Sequence, residues 1–177
     1  LSFGRTLRRK VKGPIALAKL THSGSQIVDW TPEGSEAESR NLYPDFIAFV
    51  RDAMDDLSAR GHEVELAGVF YHVGENDMSF GPFRRQAPGW IRSFVRQSRV
   101  DLGLPELLWI VSQQPPTDHE SVNGIDVTAE LEQMAAEDAH LVLVQVFDLP
   151  EQDRQLVLDT RAVVELGERL AEAYLER

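Results

Sequence analysis

A ten-residue, largely apolar stretch at residues 64–73 ends at Gly74, and two carboxylates, Glu75 and Asp77, follow within three residues. A short apolar run that stops at a glycine is typical of a buried strand. We therefore predict that a strand fills most of this stretch and that the acid groups lie at its carboxyl end. In open α/β sheets, ligands bind at that end of the strands.

Short apolar runs alternate along the chain with segments of helical periodicity. The predicted strands cover residues 15–20, 65–71, 107–111 and 141–146. The predicted helices cover residues 1–12, 42–60, 90–102, 127–138 and 160–175, and the predicted loops cover residues 26–40, 78–88 and 113–124. Strands that are apolar along nearly their whole length are typical of a parallel sheet with both faces covered. The sequence therefore predicts an α/β fold of three layers, α/β/α, with a parallel sheet and helices on both faces.

Length and charge limit the classes of protein to consider. The chain of 177 residues shows no internal repeat, so we expect a single domain over residues 1–177. Its net charge of −11 argues against nucleic acid as a partner, because phosphates would be repelled. No apolar run approaches the roughly 20 residues that cross a membrane, and no signal peptide is visible, so we expect a soluble protein of unknown compartment. The chain has no cysteine, which excludes disulfides and thiolate metal sites.

Two groups of small and acidic residues are candidates for a binding site. Small residues at 21–25 follow the first predicted strand. Gly24 could donate its N–H to an oxyanion and Ser25 could bind a substrate, although a tight turn needs the same residue types. Glu75 and Asp77 could form the acidic rim of a sugar-facing cleft, or could accept backbone N–H groups within their own loop.

The basic residues give weaker signals. Arg84 and Arg85 could pair with an anionic sugar, although two adjacent arginines usually lie on the solvated surface. The five histidines show no spacing that suggests a zinc site, and we expect neither a metal nor a cofactor. Strand alternation places His72 on the opposite face from Tyr71 and Val73.

Four motifs in order along the chain carry a family resemblance. They are Leu1-Ser2-Phe3-Gly4-Arg5-Thr6-Leu7; Pro14-Ile15-Ala16-Leu17-Ala18-Lys19 with Ser23-Gly24-Ser25 and Asp29-Trp30; Gly74-Glu75-Asn76-Asp77; and Asp159-Thr160 with Leu166-Gly167-Glu168-Arg169-Leu170-Ala171. Together they resemble the sialate O-acetylesterase-like family, the carbohydrate-ester branch of the SGNH (GDSL-like) hydrolases. The third motif is similar to the family block Trp-x-Gln-Gly-Glu-x-Asp, with Tyr71 at the Trp position and Val73 at the Gln position.

The resemblance implies an SGNH-hydrolase, flavodoxin-like fold and an esterase that removes acetyl groups from a sugar. The family's nucleophilic serine lies in a Gly-Gln-Ser-Asn-like turn, which would be upstream of Leu1, so the domain is expected to be N-terminally incomplete and to lack its first strand. The family's catalytic histidine position is Val157, its oxyanion-supporting glutamine is Val73, and the first glycine of its Gly-Gly-Thr turn is Ser23. The catalytic motifs are therefore degenerate and the catalytic residues stay unassigned. The oxyanion and substrate candidates are Gly24, Ser25, Gly74, Glu75 and Asp77.

Two functions remain open from the sequence. The first is a hydrolase acting on acetylated sugars, with its serine upstream of Leu1 and another base in place of Val157. The alternative is a non-catalytic carbohydrate-binding or protein-interaction module of the same fold, which the substitutions at the catalytic positions favour. A nucleotide binder is a weaker third reading, because no glycine-rich phosphate loop follows the first predicted strand.

The absent first strand predicts a gap in the sheet. In the flavodoxin-like order 2-1-3-4-5, strand 1 lies between strands 2 and 3. Backbone groups left buried and unpaired would cost about 1–3 kcal/mol each. We therefore expect one of two arrangements. Residues upstream of Leu1, or a partner segment, complete the sheet; otherwise the run at 15–20 pairs directly with the strand at 65–71.

Overall fold

A computed structural model describes residues 1–78, 80–113, 125–152 and 157–177, with the side chains of Glu75, Glu151 and Gln152 outside the description. Most of the predicted loop at 113–124 therefore lies outside the described residues. In chain order the elements are α1 (Ser2–Leu7), a 3₁₀ helix (Ile27–Trp30), α2 (Tyr43–Ala59), β1 (Val69–Val73), α3 (Glu75–Met78), α4 (Gly81–Leu102), β2 (Trp109–Gln113), α5 (Thr128–Glu137), β3 (Leu141–Gln145), β4 (Glu151–Gln152), β5 (Val157–Leu158) and α6 (Thr160–Leu175). Within the described ranges, no helix combines the length and the apolar character needed to cross a membrane.

β1, β2 and β3 form a parallel sheet in that order. Val69 lies opposite Trp109, and Trp109 lies opposite Leu141 on the other side. All five residues of β2 are buried, as expected of a central strand with both faces covered. The predicted parallel α/β fold is therefore confirmed. The two-residue strands β4 and β5 form a separate antiparallel pair.

Helices cover the two faces of this sheet. On one face the Tyr71 ring meets the Phe94 ring of α4 edge-on, with 5.8 Å between ring centroids. On the other face the Phe70 ring lies 4.3 Å from the Phe3 ring of α1 and 6.2 Å from the Tyr174 ring of α6. Neighbouring residues of β1 thus contact different layers, because side chains alternate along a strand.

α1 packs closely against α6 at Gly167. A Cβ atom added to Gly167 would lie 3.0 Å from the backbone nitrogen of Phe3 and closer still to Ser2 Oγ. The absence of a side chain therefore allows the two helices to approach at this point.

The strand predicted at residues 15–20 does not form. The segment has no regular structure, only Ile15 and Leu20 are partly buried, and Leu17 is 57% exposed. An isolated strand has no hydrogen-bonding neighbour to stabilise it, and no strand of the described part of the chain pairs with this segment. Direct pairing of 15–20 with β1, one of the two expected arrangements of the sheet, is wrong.

Parts of two predicted loops are helical. α4 begins at Gly81 rather than near Trp90, so the loop prediction is wrong over residues 81–88. Pro82 lies in the first turn, where a missing N–H costs nothing, and Pro88 is accommodated inside the helix. The predicted loop at 26–40 contains the 3₁₀ helix, at whose start the Asp29 carboxylate accepts the N–H of the N-cap residue Gln26.

β1 is an edge strand in the described sheet. Val69 donates its N–H to the carbonyl of Leu108, on the β2 side. In a parallel ladder alternate residues bond to opposite sides, so the backbone groups of Phe70 face away from β2. No strand of the described residues occupies that side.

Candidate functional site

Two loops that are 50 residues apart in sequence meet at the carboxyl end of β1. Both carboxylate oxygens of Asp77 accept the N–H of Ile27, at 3.0 and 3.2 Å. Asn76 Nδ2 donates to the carbonyl oxygen of Ser25 at 3.2 Å. Asp77 and Ile27 are buried, at 3% and 0% exposure, whereas Ser25 is partly exposed. The structure therefore joins residues 22–30, which we name the serine loop, to residues 74–78, which we name the acidic loop.

Within the serine loop, Ser25 is held by a tryptophan. Trp30 Nε1 donates to Ser25 Oγ at 3.1 Å, and the Ser25 N–H donates to the carbonyl of His22 at 3.3 Å. The Ser25 hydroxyl accepts one hydrogen bond in this arrangement and keeps its own proton to donate. Ser25 can therefore act as a hydrogen-bond donor at the surface of the protein.

Gly24 makes the turn that exposes this serine. Its φ of +71° lies in the left-handed region, which favours glycine. Its carbonyl accepts from Arg40 Nη1 at 3.2 Å, and its N–H has no hydrogen-bond acceptor among the described residues. Gly24 is exposed, so this N–H can reach a bound molecule.

The buried carboxylate of Asp29 stabilises the conformation of the serine loop. Asp29 is fully buried, and its Oδ2 accepts from the Gln26 N–H at 2.8 Å and from Arg40 Nη1 at 3.0 Å. Arg40 thus connects Asp29 to the carbonyl of Gly24. This network fixes the turn with charge-assisted hydrogen bonds.

Tyr71 lies near both loops on the side of the sheet covered by α4. Burial is the main cause that raises the pKa of Tyr71 well above its ordinary value, and the negative charges of Asp77 and Asp29 raise it further. The Tyr71 phenol therefore stays protonated and does not act as a base near neutral pH.

The remaining sequence candidates occupy different positions. Gly74 links β1 to α3, and nothing lies within 4 Å of a Cβ built on it. Glu75 is the first residue of α3, and its side chain lies outside the described residues. The roles of these residues, and those of Gly24, Ser25 and Asp77, stay predictions.

The positions of the family's two missing polar groups are occupied by valines in different environments. Val73 ends β1 and is fully buried in the main core. Val157 lies in β5 and is 40% exposed. Neither side chain can transfer a proton or donate a hydrogen bond.

One histidine–serine contact was not expected from the sequence. His72 Nδ1 and Ser112 Oγ are 2.7 Å apart, and their residues lie opposite each other in β1 and β2. Ser112 is fully buried. The alternation of β1 predicts the face that His72 occupies, but the partner follows from the register of β2, which the sequence does not specify.

One open cavity lies away from the serine loop and the acidic loop. A cavity of about 530 Å³ is lined mainly by the carboxyl-terminal half of α4 together with residues of α5 and β3. Its Arg99 is engaged, because this side chain pairs with Asp138 and donates to the carbonyls of Leu107 and His140. The cavity is therefore next to the amino ends of β2 and β3, at the other end of the sheet from the two loops. Within the described ranges, no group of three or more His, Cys, Asp or Glu side chains could hold a metal ion.

Comparison with known families identifies the family of the chain. The model of the family described as "Carbohydrate esterase, sialic acid-specific acetylesterase" matches residues 1–176. The chain belongs to this family. The sequence resemblance is thereby confirmed, and the chain is an esterase-like domain by descent.

A solved structure supports the fold of this esterase-like domain. It is an X-ray structure of a protein from Arabidopsis thaliana, with a TM-score of 0.65 and 23% sequence identity. The similarity covers 87% of this chain and 58% of that one, so the chain spans little more than half of that protein's length. At this level of identity the likeness concerns the fold. No curated protein matches the chain significantly.

Proposed function

We propose that the chain is a carbohydrate O-acetylesterase-like domain that binds acetylated sugars where the serine loop meets the acidic loop. The observation that carries the proposal is the set of bonds that joins the two loops, from Asn76 to Ser25 and from Ile27 to Asp77. These bonds hold the partly exposed Ser25 and the exposed Gly24 in fixed positions at the carboxyl end of β1. Family membership supports an ester as the ligand.

Ser25 and Gly24 supply the donors in this proposal. An ester carbonyl oxygen is an acceptor, and two donors on a rigid turn match it better than a mobile loop would. The Ser25 hydroxyl is oriented because it accepts from Trp30 Nε1. The left-handed turn at Gly24 presents the second donor.

A second candidate is a non-catalytic sugar-binding module of the same fold. Val157 occupies the position of the family's histidine and Val73 that of its glutamine. The full burial of Val73 favours this candidate, because that position serves the core and not an exposed oxyanion. A triad needs a base within hydrogen-bond reach of the nucleophile, and valine cannot be one.

The binding proposal is tested with a matched pair of serine variants. Methyl 6-O-acetyl-glucoside is titrated into the protein, with methyl glucoside as the ligand that lacks the ester. We expect Ser25→Ala to weaken binding of the acetylated sugar about twofold to tenfold, the range for one neutral hydrogen bond. Ser58→Ala is the control, because Ser58 is exposed on α2 and its hydroxyl bonds only the carbonyl of Met54 among the described residues. Equal binding of both glucosides, or equal loss in both variants, would contradict the proposal.

Hydrolysis separates the two candidates. If the chain is a non-catalytic sugar-binding module, we expect it to cleave p-nitrophenyl acetate no faster than the Val157→Ala variant does. Val157→His restores a titratable group at an exposed position, and Val163→His is its control because Val163 is also exposed, at 54%. Turnover that exceeds Val157→Ala, and that Ser23→Ala or Ser25→Ala abolishes, would establish a hydrolase with a relocated nucleophile.

A further inference from the structure

The two adjacent arginines of α4 have opposite environments. Arg85 is exposed, whereas the Arg84 side chain is fully buried. Arg84 Nη1 donates to the carbonyl of Met78 at 3.3 Å. Its Nε and Nη2 atoms are buried and have no hydrogen-bond partner among the described residues. One complete edge of the guanidinium is thus unsatisfied.

This arrangement is unfavourable for a protein without a ligand. A buried charge needs a partner or hydrogen bonds, and loss of one partner is strongly destabilising. Burial lowers the pKa of Arg84, and the negative charge of Asp126 opposes that change. Asp126 itself is exposed and accepts the N–H of Thr128 at 2.8 Å. Its charge acts on Arg84 through space, with no hydrogen bond between the two side chains.

The surroundings of Arg84 favour an anion. Arg84 is the fourth residue of α4, a 22-residue helix whose first turn carries no acidic residue and whose N-cap Phe80 provides no side-chain bond. Helical side chains point toward the amino end, and the bond to Met78 shows that the guanidinium reaches back past Gly81. The positive end of a helix dipole and a buried cation therefore act at the same place.

The location agrees with that of the two loops. α4 starts soon after α3, which follows the carboxyl end of β1. Thr128, next to Asp126, accepts a hydrogen bond from Gln113 Nε2 at the carboxyl end of β2. Arg84 therefore lies at the same end of the sheet as the serine loop.

We propose that the Nε–Nη2 edge of Arg84, at the start of α4, binds a carboxylate. Two parallel N–H donors on a planar group match the two oxygens of a planar carboxylate. Two sources supply this chemistry: the carboxylate of an acidic sugar, and acetate released from an acetyl ester. Both sources rest on the proposed function, whereas the anion site itself rests on Arg84.

The test is a titration followed by amide chemical shifts of the full chain. Sodium glucuronate, glucose and sodium acetate are the probes, and Arg84→Met and Arg85→Gln are the variants. We expect glucuronate to shift the amides of the first turn of α4, and glucose not to shift them. Arg84→Met should lower the affinity at least about tenfold, because charged hydrogen bonds are lost, and Arg85→Gln should change it less than twofold. Equal shifts with glucose, or equal losses in both variants, would overturn the proposal.

The relative affinities for different anions identify which carboxylate the site binds. Affinity for glucuronate well above that for acetate assigns the site to a sugar acid, and the reverse order assigns it to acetate. Tighter binding of inorganic phosphate than of either carboxylate would overturn the carboxylate assignment. Asp126→Asn keeps the acceptor for Thr128 and removes the opposing charge, so it should raise anion affinity.

Stability without a ligand gives an independent readout. We expect Arg84→Met to be at least as stable as the unmodified chain in ligand-free buffer, because it removes an unpartnered buried charge. A lower melting temperature for Arg84→Met than for the unmodified chain would mean that the chain itself satisfies Arg84 without a ligand, and would overturn the proposal. Binding of methyl 6-O-acetyl-glucoside by Arg84→Met reports separately on the proposed function, since this ligand has no carboxylate.

Discussion

Asp77 is the residue that holds the candidate site together. It bonds the backbone of Ile27 across 50 positions of sequence, so a side chain of the acidic loop sets the position of the serine loop. A carboxylate used in this way is a structural acceptor, but for the backbone of a distant segment and not only of its own loop, as the sequence suggested.

Removal of the Asp77 carboxylate should lower the free energy of unfolding by a measurable amount. We expect Asp77→Ala to lower the free energy of unfolding by about 1–3 kcal/mol, because the fully buried Ile27 N–H loses its acceptor. Urea unfolding measures the change, and Asp52→Ala on the exposed face of α2 is the control. A loss no greater than in the control would show that Asp77 does not secure the serine loop.

The sequence predicts the positions of some site residues but not of others. The apolar run ending at Gly74 predicts where the acidic loop emerges, because strand ends and acids are visible in the sequence. The burial of Arg84 is not predictable from an Arg-Arg pair, since it depends on α4 starting at Gly81 and reaching back toward Met78. The bond between His72 and Ser112 depends on the register of two strands, which short apolar runs do not determine.

Among the secondary-structure elements, the sequence predicts most accurately the three strands that pair with one another in the sheet. β1, β2 and β3 overlap the predicted strands at 65–71, 107–111 and 141–146, each shifted or shortened by a few residues. Residues 15–20 have the same apolar character but lack a partner, and strand formation depends on that partner. Proline misled the prediction for α4, because residues 82 and 88 are both proline within a helix.

Two glycines in helices make a matched test of helix packing. We expect Gly167→Ala to destabilise the protein by about 1–3 kcal/mol, because its methyl group would press against the backbone of Phe3 in α1. Gly89→Ala should instead stabilise it by about 0.5–1 kcal/mol, because Gly89 is exposed in α4 with nothing within 4 Å of an added Cβ. Thermal unfolding measures both, and changes of the same sign would contradict the close contact of α1 with α6.

For the edge of β1, we propose that an extended segment from outside the described chain completes the sheet. We expect the Phe70 amide to exchange with deuterium faster than the Tyr71 amide in the isolated chain, since Tyr71 bonds toward β2 and Phe70 faces the edge. Exchange measured by NMR decides this, and a longer protein that includes the completing segment should protect Phe70. Equal protection of both amides in the isolated chain would argue that the edge is already covered.

An ion pair at the amino ends of the strands is expected to make the stability of the whole molecule depend on acidic pH. Arg99 of α4 pairs with Asp138 and also donates to the carbonyls of Leu107 and His140. Burial alone would raise the pKa of Asp138, but the hydrogen bonds from Arg99 and from the His140 N–H outweigh it and lower the pKa below its usual range. One side chain thus connects a helix to the starts of two strands.

The sign of the pH dependence follows from that lowered pKa. The unfolded chain binds the Asp138 proton more tightly, so the ion pair stabilises the fold above about pH 4 and loses this effect as pH falls through the folded pKa. We expect the unmodified chain to be more stable than Asp138→Asn at pH 6, and this difference to shrink as the pH falls to 3. Urea midpoints measure it.

Asp148→Asn is the comparison. Arg169 holds the pKa of Asp148 at about 2, yet this carboxylate is 70% exposed and solvent screens the pair. A larger effect at Asp148 than at Asp138 would contradict this ranking.

The open edge of β1 also affects how concentrated solutions of this chain behave. An unpaired strand edge is a template for edge-to-edge association, and Leu17, in the irregular segment at residues 15–20, adds exposed apolar surface. The net charge of −11 opposes such encounters between copies. Added salt weakens that repulsion, because the screening length falls from about 10 Å at 0.1 M to about 3 Å at 1 M. We therefore expect the long-range charge of the isolated chain to keep it dispersed in dilute buffer, and concentrated salt to promote its association.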